Sequence, residues 1–161
     1  MLRRIIVAVT LALALPVVAA AQSFTAYGPH MGFGQGYDQF VVGGHLQWHE
    51  IAPQLDFVPS LDLGLGGGAT TFSINGDFHY RLVTRSTWQP YLGGGVGIHF
   101  NSLDNGAGPN RDASSTDAGG QFIVGADVAT KRGSRFFAEA KIGFGDSPDL
   151  RVLAGLNFGS R

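Results

Sequence analysis

The sequence predicts an all-β fold, an eight-stranded antiparallel up-and-down transmembrane β-barrel. Three observations support it: an export signal, an alternation of apolar and hydrophilic residues that recurs eight times, and two rows of aromatic residues. The alternation is clearest at residues 69–83, where one set is Thr70, Phe72, Ile74, Gly76, Phe78, Tyr80 and Leu82 and the other is Thr71, Ser73, Asn75, Asp77, His79 and Arg81. A period of two places the two sets on opposite faces of a β-strand.

The first 21 residues have the organisation of a cleaved export signal. Arg3 and Arg4 precede an apolar run at residues 5–18, and Ala19–Ala21 forms a small-residue cleavage site. We therefore expect a signal peptide at residues 1–21 and one mature barrel domain at residues 22–161. The apolar run is short for a spanning helix, so an uncleaved membrane anchor is the weaker alternative.

The composition of the mature chain argues against several classes of protein. Without Arg3 and Arg4, nine of the 11 basic residues remain against 12 acidic ones, so the net charge is −3. A nucleic-acid partner would require a basic patch, so none is expected. The chain has no cysteine, which excludes a disulfide framework. The 25 glycines and the aromatic content of 11% suit a twisted, closely packed β structure.

The alternation recurs along the whole mature chain. The predicted strands are residues 26–34, 39–49, 55–66, 69–83, 88–100, 119–129, 135–145 and 149–159. The apolar exceptions on the hydrophilic face are Val58, Tyr91, Ile123, Phe137 and Leu153. Pro59 cannot donate a ladder hydrogen bond, so the third strand either contains a bulge there or begins near Ser60.

The apolar face is predicted to point outward. The interior of an eight-stranded barrel is just wide enough for side chains to fill it, so it cannot hold the many apolar and aromatic residues of this chain. The glycine-rich hydrophilic face can fit inside, which leaves the apolar face against lipid. The structural alternative is a soluble, lipocalin-like barrel with its apolar face inward.

The aromatic residues of the apolar face fall into two rows, which we interpret as girdles at the two membrane surfaces. With the N-terminus in the periplasm, the periplasmic row is Tyr27, Trp48, Phe57, Tyr80, Trp88, Phe136 and Phe158. The outer row is Phe33, Phe40, Phe72, Phe100, Phe122 and Phe144. Eight residues separate Phe72 from Tyr80, roughly 26 Å of strand and about 20 Å of height after tilt, close to the apolar band of a membrane barrel.

The connections agree with this orientation, since periplasmic turns should be short and outer loops longer. The predicted periplasmic turns are Glu50–Pro53, Thr84–Thr87 and Thr130–Ser134, and basic residues such as Arg85, Arg132 and Arg135 gather there. The long polar segment Asn101–Asp117 is predicted to be an outer loop.

Two segments resemble a known group of proteins. Gln89–Gly97 resembles the Pro-Tyr-x-Gly-x-Gly-x-Gly pattern of small outer-membrane β-barrel proteins of the OmpA-like superfamily, and Phe136–Ala140 with Leu153–Phe158 is similar to their last hairpin. The resemblance implies a place in the outer membrane, with lipid, lipopolysaccharide and the outer-membrane assembly machinery as partners. The chain departs from the pattern by ending in Gly159-Ser160-Arg161 rather than at a terminal Phe.

Ionisable residues on the hydrophilic face form a predicted lumen charge network. Its members are Asp62, Asp77, His79, Arg81, Asp127, Glu139, Lys141 and Arg151. Charges in a narrow lumen must be paired, and both signs occur in similar number, so we expect an internal plug. Glu139 and Lys141 are expected to be neighbours, with Arg151 and Asp127 joining them from the flanking strands. The alternative is an ion path or gate.

Neither a metal ion nor another cofactor is expected. His45, His49 and His79 are predicted to face inward, and with Asp77 they would be suitable zinc ligands. However, His45 and His49 lie four residues apart on a strand, roughly 13 Å, which is too far for them to share one ion.

A catalytic role is also not expected. The segment His99-Phe100-Asn101-Ser102 resembles the His-x-Ser of outer-membrane lipid A deacylases, but it is one residue longer and lies in the fifth strand rather than near the chain end. The expected function is therefore structural or interactive: membrane integrity, adhesion or surface binding, with an extracellular ligand bound through the loop at residues 101–117. The alternatives are a narrow channel or a lipid A-modifying enzyme. A wide porin is excluded by the number of strands.

Overall fold

The structure is a computed structural model that describes residues 24–34, 38–104, 112–130 and 132–159. The predicted signal peptide, residues 1–21, lies outside the described residues. The strands are β1 (Phe24–Gly34), β2 (Gln39–Ala52), β3 (Leu55–Gly66), β4 (Ala69–Arg81), β5 (Trp88–Asp104), β6 (Asp112–Ala129), β7 (Arg135–Gly145) and β8 (Leu150–Asn157). Each strand pairs antiparallel with the next, and β8 pairs with β1 to close the barrel. The predicted fold class is confirmed.

The described residues contain no helix that is both long enough and apolar enough to cross a membrane. Below, the end of the barrel that carries the Gly67–Gly68 turn is called the outer end, and the opposite end is called the periplasmic end, after the predicted orientation.

The connection between β5 and β6 differs from the prediction. Residues 101–104 and 112–117 are paired strand rather than loop, with Asn101 opposite Ser115 and Asp104 opposite Asp112. The Asn101 amide donates to the Asp117 carboxylate over 2.6 Å and to the Ser115 hydroxyl over 3.3 Å. These polar cross-strand bonds continue the hairpin beyond Phe100, the last aromatic residue of β5, so the loss of alternation did not mark the end of the strands.

Two other connections are two-residue turns, one lying between the predicted strand bounds at residues 66 and 69 and one displaced from its predicted position. Gly67 and Gly68 have φ angles of 60° and 70°, so they form a two-residue turn of the type that requires positive φ at both positions. At the periplasmic end, β2 continues to Ala52, and the connection to β3 is Pro53–Gln54 rather than Glu50–Pro53. The register shifts between Trp48 and Ala52, which accommodates the extra strand residues.

Pro59 lies inside β3, and the strand does not begin at Ser60. On one side β3 pairs continuously with β4 through Pro59 opposite Gly76. On the other side the partners in β2 pass from His45 opposite Ser60 to Trp48 opposite Phe57. The ladder is interrupted on the side where proline has no N–H to donate.

The two faces of each strand have different surroundings. In β4 the buried side chains are Ala69, Thr71, Ser73, Asn75, Asp77 and His79. Their neighbours Phe72, Ile74, Phe78 and Tyr80 point outward and are 40 to 46% exposed. The apolar exceptions Val58, Tyr91, Ile123, Phe137 and Leu153 are buried inside the barrel. The barrel thus has a polar interior and an apolar exterior, the reverse of a soluble lipocalin-like barrel.

The predicted aromatic rows lie on the exterior as clusters of neighbouring rings. At the outer end the ring centroids are 5.6 Å apart for Phe33–Phe40, 6.2 Å for Phe72–Phe100 and 5.2 Å for Phe122–Phe144. At the periplasmic end they are 6.1 Å apart for Tyr27–Phe158, 6.0 Å for Trp48–Phe57 and 5.1 Å for Phe57–Phe78. Phe78 was not among the predicted members. The location of these clusters at the membrane surfaces stays a prediction.

The exterior of β4 offers a direct test of lipid exposure. Ile74 is opposite Leu61 and Ile98 in mid-strand and points outward. Ile74→Arg should lower the free energy of unfolding by about 2–4 kcal/mol, because it places a charge near the bilayer midplane. The measurement is urea unfolding of the barrel refolded into phosphatidylcholine vesicles.

The matched control is Leu82→Arg, eight residues further along the same face. Near the membrane surface the same charge should cost only about 0–1 kcal/mol. Equal costs at both positions, or no cost at Ile74, would show that this face does not meet lipid.

Candidate functional site in the barrel interior

The interior contains an open outer cavity and a nearly closed middle. The outer cavity has a volume of about 380 Å³ and is lined by Gln39, Thr71, Ser73, His99, Asn101 and Arg151, among others. The second cavity, of about 20 Å³, lies deeper and is lined by His30, His45, His79, Tyr91, Glu139 and Lys141, among others. A space of this size holds about one water molecule. The two cavities are separated by hydrogen-bonded charged side chains.

Lys141 is the centre of the first cluster. Its ammonium lies 2.7 Å from the Asp77 carboxylate and 3.3 Å from that of Glu139. The Tyr91 hydroxyl donates to Glu139 over 2.8 Å, and the Gln121 amide donates to Asp77 over 2.5 Å. All five side chains are at least nine-tenths buried. The cluster joins β4, β5, β6 and β7, and one ammonium serves two carboxylates.

Arg151 is the centre of the second cluster. Its guanidinium donates to the Asp62 carboxylate over 3.3 Å, to the side-chain oxygen Oδ1 of Asn75 over 3.4 Å and to the side-chain oxygen Oε1 of Gln121. The Asn75 amide in turn donates to Asp62 over 2.8 Å. Gln121 accepts from Arg151 and donates to Asp77, so it connects the two clusters across the lumen.

A third group of side chains lies next to the line where β8 meets β1. His30 Nε2 lies 2.6 Å from Asp62 Oδ1, and His30 Nδ1 lies 3.2 Å from His45 Nδ1. His45 Nε2 contacts the side-chain oxygen Oδ1 of Asn157. Neither His30 nor Asn157 was among the predicted site residues. Their position on the hydrophilic face was the signal, but His30 lies in the segment with the weakest alternation.

Two ion pairs lie towards the periplasmic end. Asp56 accepts hydrogen bonds from His49 Nδ1 over 2.8 Å and from the Gln47 amide over 3.0 Å, and it lies 3.2 Å from Arg81 Nε. Asp127, which was predicted to join Lys141 from a flanking strand, forms an ion pair with Arg135. Arg135 is the first residue of β7, next to the predicted turn, and its long side chain reaches back into the barrel.

His79 lies in the second cavity. Its ring stacks on that of Tyr91, with centroids 4.6 Å apart, and its Nε2 lies 4.0 Å from a Glu139 oxygen, beyond hydrogen-bond range. Residues 24–34, 38–104, 112–130 and 132–159 hold no group of three or more His, Cys, Asp or Glu side chains that could bind a metal ion.

The candidate catalytic segment does not form a His–Ser pair. His99 points inward, whereas Ser102 is exposed and has the parity of the outward face of β5. His99 instead bridges two other hydroxyls, with Nδ1 2.8 Å from Ser73 Oγ and Nε2 3.2 Å from Ser147 Oγ. This links β5 to β4 and to the outer connection before β8.

Comparison with known proteins identifies the fold. The sequence matches no protein-family model and no curated protein. The structure is similar to Neisserial surface protein A (NspA), with a TM-score of 0.62 and 16% identity over 84% of this chain and 94% of that chain. It is also similar to the N-terminal β-barrel domain of Pseudomonas aeruginosa OprF, with a TM-score of 0.66 and 12% identity over 84% and 97% of the two chains.

A looser match is the outer membrane enzyme PagL, with a TM-score of 0.45 and 15% identity over 84% of this chain and 99% of that chain. This overlap is too loose to compare individual sites. The chain has the fold of the small eight-stranded outer-membrane barrels, and the resemblance noted in the sequence is confirmed at the level of fold.

The Lys141 cluster predicts strong coupling between its members. Lys141→Met leaves two buried carboxylates without their cation and should cost about 3–5 kcal/mol of stability. Adding Asp77→Asn should recover part of this loss, because Asp77 is the nearer carboxylate. Urea unfolding in vesicles of the two single variants and the double variant gives the coupling energy.

The control is Arg85→Met, which removes a cation from an exposed turn and should leave stability nearly unchanged. A coupling energy near zero between Lys141 and Asp77 would mean that each charge is separately solvated, as in an open pore.

Proposed function

We propose that this protein is an integral outer-membrane barrel with a structural or surface-interaction role, and that its lumen is closed to solutes. The apolar exterior and the fold shared with outer-membrane barrels support the location. The observation that carries the closed lumen is the network of Lys141, Arg151 and Gln121. It links five of the eight strands across the middle of the barrel and leaves a cavity of about 20 Å³ beneath it.

The partners we propose are outer-membrane lipid, lipopolysaccharide and the outer-membrane assembly machinery. Lipid would cover the exposed apolar side chains. At the outer end, acidic side chains surround the open cavity, among them Asp117, Asp146 and Asp149. The β5–β6 hairpin projects beyond the aromatic residues at this end and is the proposed place for an extracellular ligand.

A narrow channel is the second candidate, and the outer cavity favours it. This cavity already reaches Asp62 and Arg151, so the closed part of the lumen is only the middle and the periplasmic end. If the Arg151–Gln121 contact opened, the two cavities would become continuous.

Conductance of the refolded barrel in a planar bilayer decides between the two candidates. We expect no steady current from the wild-type barrel. The double variant Arg151→Ala, Gln121→Ala removes the side chains that connect the clusters, so it should conduct more. Steady picosiemens-scale conductance in the wild-type barrel would contradict the closed lumen and support the channel.

Fractionation of cells tests the proposed location. The mature chain should begin at Gln22, partition with outer membranes and migrate faster on gels when it is not boiled, as a folded barrel does. N-terminal sequencing, membrane fractionation and gel mobility with and without boiling provide these measurements. Recovery of a soluble periplasmic protein, or of a chain that begins at Met1, would contradict the proposal.

A further inference from the structure

A chain of four buried side chains crosses the strands beside the barrel's closing seam. Asp62 on β3 contacts His30 on β1, His30 contacts His45 on β2, and His45 contacts Asn157 on β8. All four are more than nine-tenths buried. The two imidazole rings are stacked, with centroids 5.4 Å apart and an angle of 28° between their planes.

The contacts of this chain need three protons. The Asp62 carboxylate and the side-chain oxygen Oδ1 of Asn157 can only accept hydrogen bonds. His30 Nε2 and His45 Nε2 must therefore both carry a proton. The two Nδ1 atoms face each other at 3.2 Å, and without a proton between them two lone pairs would be opposed. Two neutral imidazoles carry only two protons in total.

We infer that His30 and His45 hold one additional, shared proton in the folded barrel, and that this proton fastens the seam between β1 and β8. In the simplest arrangement His30 carries both ring protons and donates to Asp62 and to His45, while His45 is neutral and donates from Nε2 to Asn157. The positive charge then lies on the ring that contacts the Asp62 carboxylate at 2.6 Å.

The charged groups around His30 and His45 favour an additional proton on the pair. The titratable and charged groups that face it are Asp62, His79, Tyr91, Asp127, Glu139, Lys141 and Arg151. In the described part of the chain, the lumen holds six inward-facing carboxylates, Asp56, Asp62, Asp77, Asp117, Asp127 and Glu139, and four cations, Arg81, Arg135, Lys141 and Arg151. An additional proton on the pair reduces this excess of negative charge.

Glu139 shares its cation with Asp77 and is the more distant of the two carboxylates from Lys141. Asp62, Asp127 and Asp56 each have an arginine partner, whereas Lys141 alone serves both Asp77 and Glu139. Glu139 interacts electrostatically with His79, which is the nearest histidine, and also with His30 and His45. His49 needs only one proton to donate to Asp56, and His79 makes no hydrogen bond through Nε2, so neither ring requires a second proton.

The seam is where such a fastening has most effect. β1 and β8 are paired from His30 opposite Gly155 to Gly34 opposite Arg151, and again at Tyr27 opposite Phe158. The ladder is interrupted between these, where Pro29 has no N–H to donate. Asn157 lies in this gap and contacts His45 two strands away, so the side chains join β8 to β2 and β3 where the backbone ladder is weakest.

The shared proton makes stability depend on pH in a defined direction. Above about pH 6.5 the histidines of the unfolded chain are neutral. With the inferred proton, the folded state then binds one more proton than the unfolded state, so stability falls as pH rises. The unfolding equilibrium constant should increase about tenfold per pH unit from this source, until the folded pair itself releases the proton.

His45→Gln isolates this contribution. The glutamine amide can donate to His30 Nδ1, so the variant needs no additional proton. Between pH 7 and 9 the factor by which its unfolding equilibrium constant increases per pH unit should therefore be about ten times smaller than in the wild type. The matched control is His99→Gln, because His99 contacts only hydroxyls that can donate or accept. Its pH dependence should equal that of the wild type. Equal pH dependence in all three proteins would overturn the inference.

Side-chain nitrogen-15 NMR of the wild-type barrel in detergent at pH 8 tests the proton directly and requires no variant. We expect both nitrogens of one ring of the pair to be protonated. Two neutral rings would overturn the inference and would mean that Asn157 presents its amide nitrogen to His45. One bound Zn²⁺ or Cu⁺ per chain, detected by elemental analysis and lost in His45→Gln, would also overturn it, because a metal ion would then occupy the position of the proton.

Discussion

The rest of the structure depends on the width of the lumen. An eight-stranded barrel has an interior just wide enough for side chains, so the hydrophilic face must both fill this space and neutralise its own charge. Glycines provide the room. A Cβ at Gly95 would overlap the Asp77 carboxylate, one at Gly125 would overlap the Tyr91 ring, and one at Gly43 would overlap Asp62 and His30. The glycine-rich pattern is thus the complement of the large polar side chains that meet at the middle of the barrel.

Most of the fold could be predicted because a strand's alternation depends only on its own residues. In six of the eight strands, both the first and the last residue lie within a few residues of the predicted bounds. The exceptions are β5, which extends into the predicted loop as far as Asp104, and β6, which begins within it at Asp112. In these extensions polar residues occur on both faces and Leu103 is the one large apolar residue, so little alternation remains to be read. What keeps these strands paired is a set of cross-strand contacts such as Asn101 with Asp117, and such contacts depend on register.

The interior could be predicted only in part for the same reason. Alternation assigns a residue to a face, but not to a height in the barrel. Glu139 was found as the neighbour of Lys141 because the two lie on one strand, whereas the nearer carboxylate, Asp77, is 64 residues away in sequence. The pairing of Arg135 with Asp127 was not predicted, because the position of Arg135 beside a turn says nothing about how far its side chain reaches. These partners follow from the stagger of eight strands around a closed barrel.

The paired charges also explain how one register is chosen. The apolar exterior is satisfied by lipid in many alignments, since Leu, Ile, Val and Phe recur at every second position. A slip of one residue between strands would turn charged side chains outward and is therefore strongly disfavoured. A slip of two residues keeps every face correct, but it separates Lys141 from Asp77 and Asp62 from both His30 and Arg151. Buried ion pairs add little net stability compared with apolar packing, but breaking one is costly. The network therefore selects the native register mainly by destabilising shifted registers. It includes contacts of β8 side chains across the seam where β8 pairs with β1.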